Sequence, residues 1–174
     1  MRRSVSMSPI KAIVGESVLA CLIASFCALL IDVPVWAMFI GWITFFAGGY
    51  TAREGGGSWG CAVGGLTIGA LAGLASEHMA SCLGTLTVIP VALVVTLLVL
   101  SLKWLPVFNN VLGYFLGTVC YFASRLPPSF ATWTDLAIAL SLGVVGGFLA
   151  SVLNRYWSDA DRRRERASHQ LRLP

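Results

Sequence analysis

The side chains in this chain that could do chemistry are few, and most lack the neighbours that chemistry needs. Five cysteines, at 21, 27, 61, 82 and 120, form no Cys-x-x-Cys pair and have no histidine at metal-ligand spacing. Neither a zinc site nor a redox motif follows, and the cysteines read as small apolar packing residues. The run Gly55-Gly56-Gly57 is not followed by Gly-Lys-Ser/Thr, so it is no Walker-type phosphate loop. An enzyme requires a nucleophile, base or metal shell inside its fold, and the apolar segments offer hydroxyls and thiols without a histidine or a carboxylate pair. Catalysis, a metal and a cofactor are therefore not expected. His78, alone after Glu77, reads as a solvated loop residue rather than a proton relay.

Two polar features carry more weight. Glu16 is an acidic residue inside an apolar segment, and ionisable groups at membrane depth are expensive enough to be functional by default. Against a role with solute or proton, it lies only about 6 Å from the start of its helix at 1.5 Å per residue, within reach of headgroups or of Lys11. Asn109 and Asn110, after Pro106, could offer amides to a solute at a pore mouth. Helix capping after Pro106 is the favoured reading, since Asn is a preferred cap.

The elements that position these residues follow from composition. The 174 residues are 57% hydrophobic and 11% charged, with a mean hydropathy of +0.80, far from the roughly 25% charged residues of soluble domains. This is the make-up of an integral membrane protein. Six stretches approach the roughly 20 apolar residues that a transmembrane helix needs. They run over 12–31, 35–50, 59–76, 83–102, 107–124 and 134–156. Arg53–Gly57 reads as a polar turn and Ser158–Pro174 as a polar tail. The first stretch is expected to stay as a helix and not be cleaved, because it runs on to Asp32-Val33-Pro34 without a small-x-small site.

With six spans, one side holds Arg2, Arg3, Lys11, Arg53, Lys103, Arg155 and the arginines of the tail, and the other only Arg125. Cytoplasmic flanks carry the excess of Lys and Arg, so both termini are expected in the cytoplasm. The basic tail Asp159–Arg166 is accounted for by attraction to anionic lipid. No nucleic-acid partner is expected.

Two segments repeat. Phe39-Ile40-Gly41, three spacers and Phe45-Phe46-Ala47 return as Phe115-Leu116-Gly117, three spacers and Tyr121-Phe122-Ala123. Self-similarity of this kind points to duplication. Gly69-x-x-x-Gly73 is likewise answered by Gly143-x-x-x-Gly147. An odd number of spans per unit inverts the second copy. The expected fold class is thus an all-α polytopic membrane protein, six helices as two inverted three-helix repeats (12–80 and 81–156) between a short N-terminal segment (1–11) and a basic tail (157–174). Residues three and four apart share a helix face. That spacing groups Gly41, Thr44, Phe45 and Gly48 with Gly117, Cys120, Tyr121 and Ser124 as a candidate pore lining, bracketed by Phe39 and Phe115. Plain core packing is the competing reading of the aromatics, as helix packing is of the glycines.

Trp36–Gly41, Phe45-Phe46-Ala47, the glycine-rich turn, Phe115-x-Gly117 and Phe122-Ala123 resemble the small bacterial inner-membrane proteins of domain-of-unknown-function family 1097. The resemblance implies a bacterial inner-membrane location and brings no activity. From the residues, the expected function is a channel or facilitator for a small polar, uncharged solute such as urea or an amide, in a homo-oligomer. The alternative is a membrane assembly protein without transport.

Overall fold

The computed structural model describes residues 8–49, 51–106 and 108–170, with side chains between 13 and 156. Among the described residues there are six α-helices and no strand. Helix α1 (Ser8–Phe26) continues as a π-helical turn over Cys27–Ile31 and stops where Asp32 turns left-handed at φ 56°. Pro34, with φ −67° and no N–H to lose, then opens α2 (Val35–Gly48).

Sequence and structure part company at α3. Arg53–Gly57, expected as a polar turn, is the first part of a helix that runs from Ala52 to Leu83. Thr51 caps it: its Oγ1 accepts the Glu54 N–H at 3.2 Å and donates to Glu54 Oε2 at 2.8 Å. Thr-x-x-Glu is a helix-start signature that outweighs three glycines once the helix is packed. Glu77 and His78, expected in a loop, lie inside the same helix. Gly84, at φ +53°, then reverses the chain into a short 3-10 turn and α4 (Val88–Ser101).

Helix α5 (Val111–Ser124) begins at Asn110, whose Oδ1 accepts the Gly113 N–H at 3.1 Å. Helix α6 runs unbroken from Phe130 to Gln170, so the segment expected as a polar tail is helical through Gln170; residues 1–7 lie outside the described part.

Among the described residues, three helical segments are long and apolar enough to cross a membrane: Ile13–Ile31, Ala52–Trp104, which bends back at Gly84, and Phe130–Tyr156. Helices α2 and α5 have 14 residues each. At 1.5 Å per residue each is about 21 Å long, short of the roughly 30 Å hydrocarbon core.

Contacts fix the relative directions. Ser58 meets Asn110, Gly65 meets Thr118 and Gly69 meets Tyr121, so α3 and α5 run parallel. Gly41 meets Leu140, and Phe45 meets Gly147, so α2 and α6 also run parallel. Trp59 meets Ser141 and Thr67 meets Trp133, which sets α3 antiparallel to α6. Glu16 meets Asn154 and Ile23 meets Gly146, which sets α1 antiparallel to α6. The two motif helices, α2 and α5, are therefore antiparallel. Helix α4 returns along α3, burying Val91, Val95 and Val99 with Cys61, Ala72 and Tyr114, while Leu93, Val94 and Leu97 point outward. The other core cluster joins Met38, Leu66, Tyr121, Leu136 and Leu140.

Candidate functional site

The glycines expected to widen a path are filled instead. A Cβ at Gly41 would overlap the Leu140 carbonyl, and one at Gly117 the Ala62 carbonyl. Reciprocally, Gly143 sits against the Met38 carbonyl and Gly65 against that of Tyr114. Backbone has packed against backbone, as small residues allow helices to do. Phe45 then lies against Gly147, and Tyr121 against Gly69, in the same relation. Met38 and Tyr114, Gly41 and Gly117, and Phe45 and Tyr121 all share the chain separation of the repeated motif; Ala62 and Leu140, Gly65 and Gly143, and Gly69 and Gly147 share a second one. The glycines that answer Gly143 and Gly147 are thus Gly65 and Gly69, one turn earlier than the spacing suggests. Glycine recurs every fourth residue from 65 to 73, so sequence alone leaves that register open.

The other expected residues fall as follows. Thr44 is buried and donates to the Ile40 carbonyl at 2.8 Å. Ser124 Oγ donates to the Tyr121 carbonyl at 2.7 Å and accepts the Leu126 N–H at 3.2 Å, ending α5. Cys120 is fully buried, Phe115 packs on the second core cluster, and Phe39 is exposed. Glu16 is half-buried near the apolar end of α6, where Asn154 Nδ2 donates to its Oε1 at 3.1 Å; this tie between helices was missed in the sequence. Phe45 borders an apolar groove and Gly48 a polar cavity.

That polar cavity, of about 510 Å³, lies where α2 ends and α3 and α5 begin. It is lined by Gly48, Arg53, Glu54, Gly56, Gly57, Ser58, Pro106, Phe108, Asn109 and Asn110. Because α3 and α5 are parallel, their N-termini open onto it together, each carrying partial positive charge. Asn110 is held by the cap to Gly113 and by its Nδ2, which donates to Ser58 Oγ at 2.9 Å. The capping role thus accounts for Asn110, while the exposed Asn109 lines the cavity. Ser58 was missed, although Ser58, Ala62, Gly65 and Gly69 form one stripe at helical spacing.

Deeper along the same helices, Thr118 Oγ1 donates to the carbonyls of Gly65 at 3.0 Å and Tyr114 at 2.9 Å. At the far end the Tyr121 hydroxyl is buried against Gly73 and meets no hydrogen-bonding partner among the described residues. Among the described residues no cluster of His, Cys, Asp or Glu could hold a metal.

The family described as a protein of unknown function, DUF1097, matches residues 13–154, and the chain belongs to it. No curated protein and no solved structure matches the chain. The family's description assigns no function, and the apolar helices suggest a membrane protein.

Proposed function

We propose that this member of the family is a facilitator for a small polar, uncharged solute of the urea or amide type. It crosses a bacterial inner membrane six times as two inverted three-helix repeats, with both termini in the cytoplasm, and works as a homo-oligomer without cofactor or catalytic chemistry. The observation that carries the reading is the polar cavity at the shared N-terminal end of α3 and α5, built into a chain that is otherwise apolar. A recess with amides, a hydroxyl and helix N-termini, beside the opposite charges of Arg53 and Glu54, offers a neutral polar molecule what bulk water offers it. The repeated contacts of Gly41 with Leu140 and Gly117 with Ala62 support the inverted repeat. Those same contacts close the interior, so on this reading the helix pairs must part for solute to pass.

One observation favours the alternative, a membrane assembly protein: the glycine faces are occupied by neighbouring backbone at Gly41, Gly65, Gly117 and Gly143 and by aromatic rings at Gly69, Gly73 and Gly147. Liposome shrinkage separates the two. Purified protein in liposomes is expected to speed the equilibration of urea and small amides over that of empty vesicles. No acceleration with urea, amides, glycerol or water gives the assembly reading.

A further inference from the structure

The two glycine-bearing seams are alike in packing and unlike in chemistry. Along α5, the residues turned to α3 are Asn110 at the polar cavity, Thr118 in the middle and Tyr121 at the far end. The residues in the same positions of α2, at the motif's separation, are Pro34, Trp42 and Phe45. Opposite Asn110 stands Ser58, and in the corresponding place on α6 stands Leu136. The amide and hydroxyls of Asn110, Ser58, Thr118 and Tyr121 are thus replaced in the α2–α6 seam by Pro34, Leu136, Trp42 and Phe45, of which Trp42 alone keeps a donor.

We infer that the solute, on the reading given above, follows the α3–α5 seam from the polar cavity, and that the Tyr121 hydroxyl is the deepest group to bind it. The hydroxyl is not needed to fill the seam. Phe45 does the same packing against Gly147 without one, and Tyr121 is 4% exposed with its oxygen unpartnered. Burying a donor without a partner costs stability, whereas a phenylalanine of the same shape would not. From Ser58 to Gly73, which abuts the Tyr121 hydroxyl, α3 rises about 22 Å, with Thr118 near the middle. Polar side chains thus recur at intervals of about 10 to 12 Å along the seam, and passage requires the Thr118 hydrogen bonds to open and the Tyr114 and Tyr121 rings to leave the α3 glycines. The ligand class follows from the unpartnered Tyr121 hydroxyl in an apolar surrounding: a small neutral molecule with a carbonyl oxygen, which accepts from it.

The test is the ratio of urea to water permeability in proteoliposomes, with acetamide and glycerol as further probes, for wild type, Tyr121→Phe and Thr118→Val. Both variants are near-isosteric, and their folding is checked by melting in detergent. Loss of the Tyr121 hydroxyl is expected to lower the urea and acetamide ratios about fivefold, the size of one neutral hydrogen bond. It is expected to leave the melting temperature equal or higher. Thr118→Val lowers the ratios in the same direction, and carries the test if Tyr121→Phe does not fold. Wild-type ratios in both folded variants overturn the seam while leaving the facilitator standing. Wild-type protein that conducts none of the probes overturns the facilitator itself.

Discussion

Gly117 and Gly56 both lie in helices, yet the same substitution at the two is expected to act in opposite directions. At Gly117 a methyl group would enter the Ala62 carbonyl and crowd Leu66 N, which are backbone and cannot turn aside. Helix α5 must then lift from α3, at the about 1 to 3 kcal/mol typical of an overpacked contact. At Gly56 a methyl group meets nothing within 4 Å, and alanine is the better helix former by about 1 kcal/mol. Gly117→Ala should therefore melt lower than wild type in detergent and Gly56→Ala slightly higher. Equal shifts would show that the close contact of α3 and α5 is not what holds the bundle. The chemical difference between Phe45 and Tyr121 belongs to the same scale. In the sequence they match as aromatic positions of one motif, and only their surroundings reveal that one hydroxyl is buried without a hydrogen-bonding partner among the described residues.

At the scale of elements, the entry to α3 is where local sequence rules and the fold met. Gly55-Gly56-Gly57 argues for a turn, but Thr51 and Glu54 supply the cap, and Gly55 lets the Phe45 ring of α2 lie on the helix. Thr51→Ala removes the oxygen that accepts the Glu54 N–H, and a lost N-cap costs about 1 kcal/mol. A lowered melting temperature, with Thr51→Ser close to wild type, is the expected result. An unchanged melting temperature in Thr51→Ala would mean that tertiary packing alone holds these turns.

Six apolar segments, the Asn110 cap and the antiparallel motif helices were legible in the sequence, because hydropathy, capping preference and a repeated motif are local signals. The partner of each glycine face was not. Gly65, Gly69 and Gly73 repeat every fourth residue, so each offers the same small surface. The choice among them is made by the bulk of Tyr114 and Tyr121 on the facing helix. The inward-facing pore lining expected of Gly41 and Gly117 rested on helical spacing, which says which residues share a side and not what covers it.

For the whole molecule, the six helices alternate in direction, and the shortness of α2 and α5 has a consequence at one end. Because α2 stops at Gly48 and α5 starts only at Val111, the space between Arg53 and Asn109 is left to a polar recess. Arg53 and Lys103 flank this end, and Arg155 lies beyond the apolar part of α6 near Glu16, while Arg125 lies at the opposite corner, after α5. Lys103 stacks at 5.3 Å over the ring of Trp104, itself 81% exposed, the kind of pair found where a helix leaves the bilayer. On the proposed six-span topology, the charge rule would place the recess in the cytoplasm and the α3–α4 corner outside.

Cys82 is a natural reporter of that corner, since it is exposed there; Cys27, Cys61 and Cys120 are buried, and the other exposed cysteine, Cys21, lies inside the apolar helix Ile13–Ile31 and is replaced by serine for the test. The helical run from Gly84 to Trp104 is 21 residues, about 30 Å, enough to carry the chain back across the hydrocarbon core. A membrane-impermeant maleimide added to intact spheroplasts is expected to label Cys82. In a Cys82→Ser background it should leave a cysteine placed at Trp104 unlabelled until the membrane is opened. The reverse pattern would invert the orientation, and labelling of both positions from outside would mean that α4 does not cross.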